Sequence, residues 1–219
     1  LLLNGICGTK EVAALGAAAG VRNAKGEKRR AEILAEAERV FAELGYRGAA
    51  LQTIADRAGV TQSGLLHHFP TKKKLLFALL EEHFNQDEAR FQDQKRADKA
   101  IWKKLNAVVS HNARHKIWTR FFAIMTAETL TKDHPASDYM KNRYELVRYS
   151  MTVALKQDMA RGAIRGDADI DALASLLIAV TDGLQLQYLH NKKIDMKPSF
   201  AILQEALDLW LAPGPTRQS

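Results

Sequence analysis

The sequence predicts an all-α protein of about nine helices joined by short connections. Three observations predict it. Apolar residues recur at three- and four-residue steps from residue 33 onward. No run of alternating β-branched residues, and no two-strand hairpin pattern, interrupts them. The breaks between periodic stretches are short and built on Gly, Pro, Asp and Asn. At 219 residues the chain is long enough to bury a substantial core, and 47% hydrophobic with 26% charged residues excludes wholesale disorder.

The elements follow in order. Residues 1–24 are Leu-, Ala- and Gly-rich without a periodic face, and are expected to form a flexible arm. Leu1-Leu2-Leu3 has no basic residues before it and no cleavage site after the apolar stretch, so no secretory leader is expected. Arg22, Lys25, Lys28, Arg29 and Arg30 lead into the first helix. Its stripe is Ile33, Leu34, Ala37, Val40, Phe41 and Leu44, and Gly45 is its expected C′ stop. Short helices are expected over 51–58 and 61–69, and a long one over 71–92. Further helices are expected over 101–115, 118–131, 137–161, 170–190 and 198–211, parted at Asp133-His134-Pro135, at 162–169 and at 191–197. Pro213-Gly214-Pro215 ends the last helix and leaves 213–219 as a flexible tail. The contiguous apolar runs fall short of the roughly 18 residues that a bilayer span needs, so no membrane partner is expected.

Charge and cysteine usage narrow the function. Of the net charge of +7, residues 21–80 carry +5, from eleven basic and six acidic side chains. That concentration is the footprint of an anionic partner, nucleic acid first and a membrane surface second. The single cysteine, Cys7, excludes an internal disulfide framework and a multi-cysteine metal site, and fits a reducing cytoplasm.

The most informative segment spans residues 51–69. Ala55 is small where two short helices must cross closely, and Gly59, four residues later, supplies the left-handed turn. Ile54, Val60 and Leu65 fill the gap, and Thr61 can cap the helix that follows. This spacing is that of a helix-turn-helix, whose second helix enters the DNA major groove; a plain helical hairpin with polar outer residues is the alternative. The outward positions of that second helix are Gln62, Ser63, Gly64, His67 and His68. Gln can read adenine bidentately, Ser is permissive, and Gly64 allows close backbone approach. Thr71 is a fair N-cap for the long helix, but its first turn reads Lys72-Lys73-Lys74, which opposes the helix dipole by about 0.3–1 kcal/mol per residue. A phosphate backbone beside the reading helix would offset that cost; an exposed lysine run on a solvated face is the bland alternative.

These residues resemble the tetracycline-repressor (TetR) family of bacterial transcription regulators. The resemblance rests on Phe41-Ala-Glu-Leu-Gly-Tyr46, on Ile54-Ala55 with Ala58-Gly59-Val60, on Leu65-Leu-His-His-Phe69, and on Pro70-Thr71-Lys72 with Leu75-Leu76. It covers roughly residues 25–80. It implies a three-helix DNA-binding unit over 25–76 and a ligand-binding and dimerising body over 77–212. It further implies that Thr61, Gln62, Ser63, Gly64, His67, His68, Lys72 and Lys73, with Thr53 from the preceding helix, face bases or phosphates. Tyr46 is expected to brace the first helix. The chain departs from the family pattern at Ala49 and Ala50, where a hydroxyl usually caps the second helix, and at Leu66, where a Tyr is common. Lys73 and Lys74 are available to compensate.

By the same resemblance, Trp102, Trp118, Phe121, Phe122, Met125, Tyr144 and Met151 surround an inducer pocket suited to a small amphipathic molecule. Each aromatic at helical spacing is equally a core residue. Asp182 is costly to bury unpaired; it either meets a polar ligand group or flanks Gly183 on a wetted face. The helices over 170–190 and 198–211 are apolar nearly all round. The resemblance implies that they form a four-helix homodimer interface; burial within one subunit is the alternative. The expected function is therefore a ligand-released repressor on palindromic double-stranded DNA, with no cofactor, no metal and no enzyme activity. His111 and His115, one turn apart, lack a third metal ligand, and Arg165-Gly166-Asp167 reads as a turn. The rival readings are an all-α enzyme using the body's cavity, and a module whose basic patch meets acidic proteins or other polyanions.

Overall fold

A computed structural model of the chain describes residues 24–92 and 100–213. The expected N-terminal arm, with Cys7, and the expected tail lie almost wholly outside the described residues. Within them the chain is all-α: α1 (Ala24–Gly48), α2 (Leu51–Arg57), α3 (Gln62–His68), α4 (Lys72–Gln92), α5 (Ala100–Arg114), α6 (Lys116–Glu128), α7 (Ser137–Ala160), α8 (Ile170–His190) and α9 (Met196–Trp210).

Local chemistry sets most of these limits. Thr61, Thr71, Asp169 and Asp195 each place a side-chain oxygen on a backbone N–H of the next helix's first turn, at 3.0–3.1 Å. Asp195 starts α9 two residues before the position expected from Pro198. Gly45 breaks α1 as expected, at φ 70° and ψ 173°, and the chain resumes a helical turn through Gly48. α6 stops at Glu128, three residues early, because Thr131 Oγ1 donates to the Glu128 carbonyl at 2.6 Å and closes the end as a turn.

Two hydrophobic cores form. One joins Ile33, Phe41, Ile54, Leu65, Leu75 and Leu80 of the first four helices to Trp118, Phe121 and Met125 of α6. The other joins Ile101, Trp102 and Leu105 to Leu155, Leu173, Leu177 and Phe200. Each fully buried Leu, Ile or Phe contributes about 1.5–3 kcal/mol, so the N-terminal helices gain much of their stability from α6.

α8 qualifies the reading of apolar runs. By length and composition it is apolar enough to cross a membrane. Its inner face, however, buries Leu173, Ala174, Leu177, Thr181 and Gln185 against the body. The outer faces of α8 and α9 leave Leu176, Leu186, Ile202, Leu209 and Trp210 exposed, Ile202 at 68% and Leu209 at 81%.

Candidate nucleic-acid interface

The turn between α2 and α3 has the geometry its residue types demand. Gly59 adopts φ 63°, its N–H reaches the Asp56 carbonyl at 3.2 Å, and Val60 N–H reaches the Ala55 carbonyl at 3.0 Å. That pair of bonds is a Schellman closure. Ile54, Ala55 and Leu65 are fully buried where the helices cross. α2 begins on Ala50, which makes no side-chain cap bond. An ion pair between Arg57 and Glu43 at 2.8 Å ties α2 to α1 instead.

α3 then presents its polar residues outward. Gln62, Ser63 and His67 are exposed; Gly64 and His68 are half-buried, and Thr53 on α2 is half-buried as well. The Thr61 hydroxyl accepts from Gly64 N–H at 3.1 Å and lies 3.1 Å from Ser63 Oγ. A Cβ on residue 64 would press to 3.2 Å from that hydroxyl, so glycine leaves the cap uncrowded. The His67 and His68 rings meet edge-on at 5.6 Å. Lys73 and Lys74 are exposed at the head of α4.

Lys72 is placed otherwise than expected. Its ammonium donates to the Tyr46 carbonyl at 2.8 Å and the Ala49 carbonyl at 2.9 Å, and approaches the Arg47 carbonyl at 3.5 Å. It also sits 4.6 Å from the centre of the Tyr46 ring. Burial pushes its pKa down, and the Glu128 carboxylate partly restores it. The resemblance aims this side chain at a phosphate; here the carbonyls at the end of α1 hold it, because they converge where α4 begins.

The same junction is fastened from the body by residues that sequence reading passed over. Glu128, the last residue of α6, accepts from Tyr46 N–H at 2.7 Å, and a Cβ on Gly45 would collide with its Oε1. His134, its side chain fully buried, points Nε2 at Glu128 Oε2 across 3.6 Å and meets the Tyr46 ring edge-on at 5.1 Å. Burial pushes the His134 pKa down. Because its Nδ1 accepts from Ala136 N–H at 3.2 Å, the neutral ring carries its proton on Nε2, facing the carboxylate. Arg47 donates to the Lys132 carbonyl at 2.9 Å. Tyr46 therefore braces α1, as expected.

The residues expected around a ligand divide. Trp118 stacks on the His83 ring at 3.6 Å and lies tilted to Phe121 and Phe122, with centroids at 5.4 and 6.0 Å, and Phe122 lies 6.5 Å from Tyr144. Tyr144 Oη donates to Asp182 Oδ2 at 2.7 Å. Burial and that carboxylate push the Tyr144 pKa up to about 12. Burial also raises the Asp182 pKa, against the pull of Tyr144 and Arg143. The Arg143 guanidinium lies 4.9 Å over the Phe122 ring. Phe121 and Met125 are fully buried in the first core. Trp102 belongs to the second core and donates to Asp208 at 3.0 Å, beside a cavity of about 210 Å³ that also involves Leu155, Asp158 and Leu211. Met151 packs against that second core. The chain thus brings Trp118, Phe122, Tyr144 and Asp182 together and sets Trp102 apart. His111 and His115 stack on each other at 4.0 Å.

A capped polar helix beyond a glycine turn, packed across a buried Ile54-Ala55-Leu65 crossing, is the geometry of a helix-turn-helix. Residues 33–79 match the family model for bacterial regulatory proteins of the tetR family. Over 167 residues, covering 74% of this chain and 82% of the relative, the chain is 29% identical to the transcriptional repressor AcnR of Corynebacterium diphtheriae. It is 42% identical over 57 residues, 26% of each chain, to the transcriptional activator FasR of Mycolicibacterium smegmatis. The fold superposes on the ketosteroid transcriptional regulator KstR2 of Mycobacterium tuberculosis with a TM-score of 0.70 at 23% identity, covering 89% of this chain and 98% of that one. Through its N-terminal helices the chain resembles the tetR family, and the relatives it matches over most of its length are helix-turn-helix transcriptional repressors, not enzymes.

Proposed function

We propose that the chain is a ligand-responsive repressor that binds a palindromic operator as a homodimer and leaves it when a small amphipathic molecule occupies the body. The observation that carries this reading is the exposed row Gln62, Ser63 and His67 on a helix capped by Thr61. In it Gln62, Ser63 and His67 read base edges, while Thr61, His68, Thr53 and the lysines of α4 meet the phosphate backbone or support those that do. The reading head spans 25–76 and the body 77–212, in the cytoplasm and without a cofactor. The uncovered apolar faces of α8 and α9 pair with those of a second copy, and the two-fold axis sets half-sites about 34–36 Å apart or a multiple of that.

The ligand's apolar part lies against Trp118 and Phe122, and its polar part engages Asp182 and Tyr144. Binding lowers DNA affinity only if the ligand prefers a dimer whose heads are wrongly spaced. The test is Gln62→Ala on a duplex recovered by selection. Affinity is expected to fall by about 1–3 kcal/mol with relaxed choice at one base position. An equal effect on all duplexes would contradict base reading by this helix.

A further inference from the structure

The three lysines that open α4 are not equivalent. Lys73 and Lys74 are exposed, Lys73 with its ammonium 5.8 Å above the Phe77 ring. Lys72 instead places one ammonium where the carbonyls of Tyr46, Arg47 and Ala49 converge, two of them at 2.8 and 2.9 Å. Those carbonyls belong to the end of α1 and the link into α2, where the backbone has left regular helix at Gly45 and lacks ordinary partners. The same link is held by the body as well, through Glu128 on Tyr46 N–H at 2.7 Å. α2 has no side-chain cap of its own to fix its start. Besides the Arg57–Glu43 ion pair, its direction, and through the Gly59 turn that of α3, depends on the link that Lys72 and Glu128 both hold.

We infer that Lys72 is a positioning residue for the reading helix, acting as an internal cap on the α1–α2 link, and does not neutralise an operator phosphate. Three ammonium donors match three converging acceptors. The planar guanidinium of arginine, with its donors in a fixed fork, does not. A charge spent in this way releases no counterion when DNA binds, and this separates positioning from phosphate contact experimentally. Each phosphate contact adds about 0.9 to the slope of log affinity against log salt.

The inference rests on the proposed base reading by α3, and its test keeps the two apart. Full-length wild type, K72Q, K72R and K73Q are titrated with a selected duplex and with a random duplex of equal length over a range of salt. K73Q is expected to lower the slope by about one and to weaken both duplexes alike. K72Q and K72R are expected to keep the wild-type slope and random-duplex affinity while losing about tenfold on the selected duplex. A K72Q slope reduced by about one, with K72R behaving as wild type, would overturn the positioning role.

Wild-type protein that treats both duplexes alike would contradict the base-reading proposal instead. Competitive acetylation of wild-type protein, read by mass spectrometry with and without DNA, keeps the inference open to failure even if the variants do not fold. Lys72 is expected to react slowly in both states, and Lys73 to react readily until DNA covers it. A Lys72 as reactive as Lys73 in free protein, then shielded by DNA, would also overturn it.

Discussion

Gly45 combines a φ of 70° with a ψ of 173°, a region essentially closed to other residues, with a face pressed against Glu128. Gly45→Ala is expected to cost about 1–3 kcal/mol from backbone strain alone, more once the Glu128 carboxylate is displaced. Urea unfolding measures it, and a stability unchanged from wild type would contradict the geometry at this junction. Asp182 makes a prediction of a different kind. Its pKa is raised above the usual 3.8 by burial, so the folded state disfavours its charged form. The stability this group contributes is complete below the unfolded pKa and is lost as pH rises through the folded one. Asp182→Asn, which keeps an acceptor for Tyr144, removes that dependence. Wild type should therefore lose stability relative to the variant as pH climbs from 3.8 toward neutrality, as thermal unfolding at several pH values would record. Parallel profiles would show that Asp182 is not held in a strained charge state.

At the scale of elements, what could be read from sequence was what local chemistry decides. The α2–α3 turn was legible because Gly59 and Thr61 each fix a conformation within a few residues of themselves. The kink at Gly45 was legible for the same reason. α9 starts ahead of Pro198 because the Asp195 carboxylate makes the cap, and Pro198 falls within the first turn. The junction of head and body was not legible at all. Tyr46 and Glu128 are separated by 82 residues, and Lys72 lies 26 residues from the Tyr46 carbonyl it holds. No spacing rule spans such distances, and Asp133-His134-Pro135 read only as a break although His134 is buried there. The ligand residues show the same limit, since helical periodicity placed Trp102 and Trp118 on apolar faces but could not say that those faces enter different cores. The outer face of α9 carries its own prediction. Leu209 is 81% exposed in one subunit, so Leu209→Asp should leave the subunit folded and shift sedimentation from dimer to monomer. An unchanged sedimentation profile would place the dimer interface elsewhere.

At the scale of the molecule, one chain combines a charged head for an anionic duplex with a body whose apolar core also supports that head. Trp118, Phe121 and Met125 of α6 lie in the same core as Ile54 and Leu65 of the reading unit, and Glu128 at the end of α6 fastens the link before α2. A shift of α6 on ligand binding would therefore be felt at the reading helix through packed side chains and one charge-assisted hydrogen bond. A pairing of α8 and α9 between subunits would hold two such heads at a fixed separation. The central claim is that this assembly reads a two-fold symmetric sequence. Selection of bound duplexes from a random DNA pool, in about 0.15 M salt to suppress binding through phosphates alone, tests it most directly. The account predicts enrichment of a palindrome whose half-sites lie about one helical turn or a multiple apart; no enrichment, or enrichment of a sequence without two-fold symmetry, would contradict it.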